Sequence, residues 1–276
     1  MHELLTYSFF TNALIGLAII SVASAMIGTY IVTRRLVSIS GGVTHACFGG
    51  LGLGYYFGLN PIFTAALFAI ASSMGVEFLA TRGKVREDSA IAVIWAIGMA
   101  IGILFVFMTP GYVPELNAFL FGNVLTIARS DLWTFAVYAV ALAVFFALFY
   151  RTIVVCAFDR DFATVIHLPV RFVTYSMTVL TAIGIVLTIR LVGVMLLVSM
   201  FALPQMIAEL FCRRFGKMMA VSAIASLACC IGGLLLSVVI DVPCSAMIVI
   251  VMCAAYAVLA ICVPAFKRMS SKRSIP

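Results

Sequence analysis

Along this chain, apolar stretches about as long as a bilayer is thick alternate with short polar breaks. Nine such runs can be traced, at residues 9–32, 40–58, 61–80, 89–108, 132–150, 172–189, 191–210, 218–240 and 243–265. An apolar run of roughly 18 residues or more can cross the hydrocarbon core as an α-helix. Barrel strands would instead show short alternating segments, and these runs are continuous. The pattern predicts an all-α, polytopic integral membrane bundle of about nine spans, or eight if the sixth and seventh, separated only by Arg190, are one. The breaks carry charge, Gly or Pro and are short. Residues 1–276 therefore read as a single transmembrane domain with no soluble domain.

Composition points to the same solvent, lipid. Of 276 residues, 65% are hydrophobic and 10% charged, against about 25% charged in a soluble domain. A formal net charge of +7 would suggest nucleic acid in a soluble protein. Here the basic residues lie between apolar runs, so they report orientation, and no nucleic-acid partner is expected. Arg34 and Arg35 follow the first run, Arg82, Lys84 and Arg86 the third, and Arg151, Arg160 and Arg171 the fifth. Arg213, Arg214 and Lys217 follow the seventh, and Lys267, Arg268, Lys272 and Arg273 the ninth. Thus 15 of the 17 Lys and Arg follow odd-numbered runs, leaving Arg129 and Arg190. The positive-inside rule then places the odd connections and the C-terminus in the cytoplasm and the N-terminus outside. The eight cysteines fall mostly within apolar runs and form no C-x-x-C pair, so they read as small apolar residues. Ala23-Ser24-Ala25 faintly resembles a signal-peptidase site, but the start Met-His-Glu-Leu-Leu has no basic region, and the first run reads as an uncleaved span.

Two connections are long. The outer one, 109–131, has an apolar middle, Leu116–Ile127, too short to cross; it is expected to form a re-entrant or interfacial half-helix. Its polar residues Glu115, Asn117, Asn123 and Asp131 could meet an incoming cation, or each could simply cap or be solvated. The inner connection, 151–171, is expected to hold a short helix capped by Asp159 or Asp161 and ending before Pro169, suited to docking a soluble partner.

The second run is the chemically distinctive one. Gly42, Ala46, Gly50, Gly54 and Gly58 recur every four residues, so on a helix they form one small-residue ridge against which another backbone packs closely. Beside that ridge, in a row with Gly41 and Gly49, stands His45, the one histidine within an apolar run. It reads either as a neutral imidazole bonded to a carbonyl or as a contact for a cation in a pore. One His cannot hold a metal, so further ligands would come from other helices, with Thr44 and Cys47 as weak local candidates.

Other chemistry is sparse. No phosphate loop, H-E-x-x-H or nucleophile elbow is present, so uphill transport would draw on another subunit or an ion gradient. Glu77 and Glu209 lie near inner ends of runs and read as snorkelling surface carboxylates, and Asp241 reads as a cap before Pro243. Pro204 is expected to kink its span, because proline removes a helix hydrogen bond.

Several segments, in order along nearly the whole chain, resemble the ABC-3 family, the permeases of zinc, manganese and iron ABC importers. Arg35-Leu-Val-Ser-Ile-Ser-Gly-Gly-Val-Thr-His45-Ala46 is similar to that family's S-x-x-G-D-x-x-S-H-A signature, and Leu116-Asn-Ala-Phe-Leu-Phe-Gly122 to its L-x-x-x-L-F-G. Asp161-Phe162-Ala163 and Leu168-Pro169-Val170 resemble its cytoplasmic D-x-x-F-A…G-L-P-V segment, and Val192 to Pro204 its V-G-x-L-L-x…P. Two positions depart: the family's Asp falls on Gly41 and its Gly before Leu-Pro on His167. The missing Asp, a metal ligand in relatives, leaves the site short of one hard donor.

The resemblance implies the membrane subunit of an importer for divalent transition-metal ions in the bacterial inner membrane, working as a homodimer within lipid. Its expected partners are a cytoplasmic ABC ATPase dimer and an extracytoplasmic metal-binding protein. The segment 151–171, with Asp159, Arg160, Asp161, Phe162, Ala163, Leu168 and Pro169, would couple to the ATPase. The chain itself would bind no cofactor and hydrolyse nothing, and the metal would be cargo. The rival reading is a gradient-driven secondary transporter, which usually carries several intramembrane carboxylates; mid-span acids are almost absent here. An intramembrane enzyme would need converging polar groups on neighbouring spans, and only His45 is visible.

Overall fold

A computed structural model describes residues 8–83, 85–110, 122, 124 and 127–273. Among the described residues the architecture is helical throughout. The elements are α1 (Ser8–Thr33), α2 (Val37–Tyr56), α3 (Pro61–Arg82), α4 (Glu87–Met108), α5 (Arg129–Phe158), α6 (Arg160–Val165), α7 (Val170–Phe211), α8 (Phe215–Ile240) and α9 (Cys244–Arg273). Seven of them are long and apolar enough to cross a membrane. The element α2 has the length, 20 residues, but its glycines and hydroxyls lower its hydropathy.

The 42-residue α7 is not one rod. At 1.5 Å per residue it would run about 63 Å, roughly twice a hydrocarbon core. Its backbone breaks at Gly193, with φ 81° and ψ 172°, a region essentially reserved for glycine. Gly184 abuts Ile27 of α1, and Gln205 abuts Gly28, the next residue along. In a straight helix those two α7 positions would stand about 30 Å apart. The two limbs of α7 therefore run antiparallel as a hairpin turning at Gly193. With these limbs and α2, the membrane-length segments among the described residues number nine, as the sequence pattern predicts. The sixth and seventh runs are separate spans, and the turn lies just beyond Arg190. Pro204 lies inside the second limb without a departure from helical dihedrals, so the break expected there is at Gly193 instead.

α1 and the α7 hairpin form the centre. Leu17, Ile20 and Ile27 pack there with Ile185, Ile189, Leu196, Leu197 and Phe201, all fully buried. Gln205 donates its amide to the Ser24 carbonyl at 3.0 Å, and Ser226 of α8 donates to Ser21 at 3.2 Å. Such interhelical polar contacts replace the hydrophobic drive that lipid cannot supply.

α2, α3 and α4 form a second, tightly packed unit. A side chain on Gly50 or Gly54 would collide with Pro61, Thr64 or Ala65 of α3. One on Gly42 would collide with Ile91 of α4, and Ala46 itself abuts Gly98. The ridge read from the sequence thus serves both neighbours, and α4 answers it with Gly98 and Gly102, the latter against Gly52 and the Phe48 backbone. Gly58 is not part of the ridge: α2 ends at Tyr56, and Gly58 lies in the following turn at φ 66° with open space around it. Helix α3 opens with Asn60, whose side chain accepts from Ile62 and Phe63 N–H groups ahead of Pro61 at the first helical position.

Candidate functional site: the His45 face and the basic end

His45 lies midway along α2, half-buried. Its ring stacks on Trp95 of α4, centroids 4.8 Å apart and planes 5° from parallel. Trp95 is itself 43% exposed, so the pair sits at the rim of this chain. One turn earlier, Gly41 has nothing within 4 Å of where a Cβ would stand. The Gly41–His45 stripe therefore opens outward from the α2–α3–α4 unit.

Thr44 and Cys47 face elsewhere. Residues one and two positions from His45 are turned about 100° and 200° around a helix. Both are fully buried. Thr44 donates to the Ser40 carbonyl, and the Cys47 thiol donates to the Val43 carbonyl at 3.0 Å. The structure does not bring them to the imidazole. No group of three or more His, Cys, Asp or Glu converges anywhere among the described residues. His45 is thus a lone donor facing open space, with room beside it at Gly41 for the carboxylate that the resemblance places there.

At the end of the bundle that carries Asp131, the expected outer mouth is partly described. Asp131 accepts an ion pair from Arg190 at 2.7 Å, which accounts for one of the two basic residues outside the alternating pattern. Glu115, Asn117 and Asn123 lie outside the described residues, as does most of the segment 116–127 where a half-helix is expected. Its described residues Val124 and Ile127 are buried, and the Ile127 carbonyl accepts from Asn12 at 3.3 Å. Gly122, at φ 61°, sits directly against the Val192–Gly193 peptide, leaving no space for a side chain. Two motif glycines, one from each resembling segment, therefore meet backbone to backbone at the hairpin turn.

The opposite, basic end holds α6 and its flanks. Asp159 caps α6, accepting from the Phe162 N–H at 2.8 Å, while Asp161 sits in the first turn, favourable toward the helix dipole. Ala163 is fully buried against Cys156, Val170 and Leu168, which fixes the short helix to its own flanks. His167 adopts φ 59°, so a histidine holds a left-handed position at the place where the resemblance sets a glycine. Pro169 then caps the start of α7. The outward side is mixed: Phe158, Phe162, Val165 and Ile166 are all exposed, Phe162 by 53% and Val165 by 72%, beside exposed Asp161, Thr164 and His167.

Behind this face lies the group that the sequence misplaces. Glu77 is not a surface carboxylate but is 5% exposed. It accepts from Arg160 of α6 at 2.8 Å and from Thr81 at 3.3 Å, with Arg34 at 4.0 Å. Arg34 also pairs with Glu87 at 3.1 Å and donates to the Tyr30 hydroxyl at 3.1 Å. A cavity of about 840 Å³ opens beside them, lined among others by Arg34, Arg35, Glu87, Arg160, Glu209 and Arg213.

A multi-helix bundle with a hairpin core, a lone outward imidazole and a capped short helix at its basic end has the form of a polytopic membrane transport subunit. The chain belongs to the ABC 3 transport family, whose model matches residues 6–263. It is 35% identical to an uncharacterised membrane protein of Synechocystis sp., over 93% of this chain and 91% of that one. It is 29% identical to the manganese transport system membrane protein MntC of Listeria monocytogenes, over 91% of this chain and 89% of that one. In fold it is similar to a chain in the structure of PsaBC from Streptococcus pneumoniae in complex with Fab, with TM-score 0.84, 22% identity and 98% of each chain covered. The protein is accordingly a multi-pass protein of the bacterial inner membrane.

Proposed function

We propose that this chain is the translocation subunit of an ATP-driven importer for divalent transition-metal ions. Family membership supports the class, and the name of the manganese transport relative supports the cargo class. The observation that carries the coupling to ATP is α6: a capped helix anchored by Ala163 that turns Phe162, Val165 and Ile166 outward at the basic end. Exposed apolar side chains beyond the last turn of a membrane bundle suit burial against a soluble subunit. The ATPase dimer is that subunit, hydrolysis takes place there, and this chain supplies the path.

In this reading the basic end is cytoplasmic, with the N-terminus outside and the C-terminus inside. The Gly41–His45 stripe lines the metal path and faces a second copy of the chain, because one imidazole cannot hold an ion and the described residues bring no cluster of further His, Cys, Asp or Glu donors to it. Neutral imidazole is a borderline ligand that suits zinc and iron and can serve manganese, so zinc, manganese and iron stay within the cargo class. An extracytoplasmic metal-binding protein delivers the ion near Asp131. The coordination is weak by design of the ligand set, and a carrier must release what it binds.

The test is Phe162→Asp. The residue is 53% exposed and outside the spans, so the bundle should fold and purify normally. Co-purification of the ATPase and metal uptake should both collapse. Normal recovery of the ATPase with normal uptake would refute the docking role.

A further inference from the structure

We propose that Glu77 is a positioning residue for transport: it ties the ATPase-coupling helix α6 to the α2–α3–α4 unit that carries His45. The inference rests on the coupling role proposed above. It starts from a buried charge. A carboxylate that is 5% exposed at a span end is strongly disfavoured unless it is paired. Its short partner, at 2.8 Å, is Arg160, the first residue of α6. Otherwise α6 is held by Ala163 and Leu168 packing against its own flanks, Cys156 and Val170. The Arg160–Glu77 pair thus crosses from the coupling helix to a distant part of the chain.

What Glu77 is attached to gives the pair its consequence. It stands on α3, and α3 meets α2 through Thr64, Ala65 and Phe68 lying on Gly49, Gly50 and Gly54. On the α2 side that contact is bare backbone, with the Phe68 ring and the Thr64 hydroxyl set directly on the glycines, so displacement of α3 is passed to α2 rather than absorbed. His45 is on α2, one turn before Gly49. A pull on α6 therefore reaches the imidazole through one ion pair and one close-packed helix contact. Arg34, 4.0 Å from the other carboxylate oxygen and already bound to Glu87 of α4, is a second cation for Glu77 when Arg160 moves away. The carboxylate can thus exchange partners without ever being left as an uncompensated buried charge.

The experiment uses the full transporter, purified with its ATPase and reconstituted in proteoliposomes, with manganese(II) as the probe ion. Compared are wild type, Arg160→Gln, Arg160→Lys, Glu77→Gln and the double variant Glu77→Gln/Arg160→Gln. The measurements are ATPase subunits retained, ATP hydrolysed and ions taken up per ATP. Arg160→Gln leaves Glu77 its Arg34 partner and should fold; counted per ATP hydrolysed by the ATPase that it retains, it should take up at least about tenfold fewer ions. Arg160→Lys should recover much of that loss, and the double variant should be no worse than Glu77→Gln alone, because both changes remove one link. A purely structural role would lower protein yield and melting temperature while leaving ions per ATP unchanged. Wild-type uptake per ATP in Arg160→Gln, or independent multiplication of the two losses in the double variant, overturns the proposal. If the wild type itself retains no ATPase or moves no ion with ATP, the functional reading fails and takes this inference with it.

Discussion

At the scale of single residues, the account turns on what His45 can reach. Its ring is fixed by Trp95 at 4.8 Å, and the space one turn before it, at Gly41, is open. His45→Ala should therefore cut metal uptake at least about tenfold while expression, dimerisation and ATPase recovery survive; uptake assays run beside thermal melts separate loss of ligation from loss of fold. Gly41→Asp meets no neighbour and should be tolerated, shifting preference toward harder ions such as manganese, read as competition between manganese and zinc. Unchanged selectivity in that variant would mean that the stripe does not face the ion. His45 was legible in the sequence as a costly polar group in an apolar run. Its partner was not, because fifty residues separate the two and only the α2–α4 packing joins them. Thr44 and Cys47 show the converse: proximity in sequence suggested co-ligands, and helical rotation turned both into buried donors to their own backbone. Glu77 was misplaced for the same reason as Trp95 was missed. A carboxylate near a span end looks solvated until Arg34 and Arg160, from two distant segments, are seen to converge on it.

At the scale of elements, the small-residue ridge of α2 predicted close packing, and the answering glycines of α4 make it closer still. Gly98→Leu or Gly102→Leu should force α2 and α4 apart and lower the melting temperature, since overpacking costs about 1–3 kcal/mol and the atoms met are Ala46 and the Phe48 backbone. Leu104→Ala, on the exposed side of α4, is the matched control and should change little. Equal melts for all three would contradict the packing. The cap on α6 makes a smaller claim: Asp159→Ala should cost about 1 kcal/mol of local helix stability and weaken ATPase recovery without changing expression. Span positions were readable because apolar length is a direct consequence of bilayer thickness. The turn between the sixth and seventh spans is marked in the sequence only by Arg190, and the residue that makes it is not, since Pro204 advertises a break by its chemistry while Gly193 supplies one only when the hairpin demands its positive φ.

At the scale of the whole molecule, the proposed orientation rests on the distribution of basic residues, and the family sets the class. Cysteine labelling at Gly83, Arg160 and Ser271 should occur only from the cytoplasmic side, and at Tyr112 only from outside. Labelling of position 160 from outside would reverse the orientation and remove the coupling role with it. In the proposed reading, the α1–α7 core, the α2–α3–α4 unit and the basic end serve as a scaffold, a movable face with the imidazole, and a handle for the ATPase. Its central claim is that ATP hydrolysed by a separate subunit drives a divalent metal ion along the His45 face. The most direct measurement is uptake of radiolabelled manganese or zinc into proteoliposomes holding this chain and its ATPase, with ATP supplied and ionophores added to collapse every gradient. The account predicts uptake that requires ATP, persists with ionophores and falls in His45→Ala. Uptake that proceeds without ATP and disappears when the proton or sodium gradient is collapsed would contradict it.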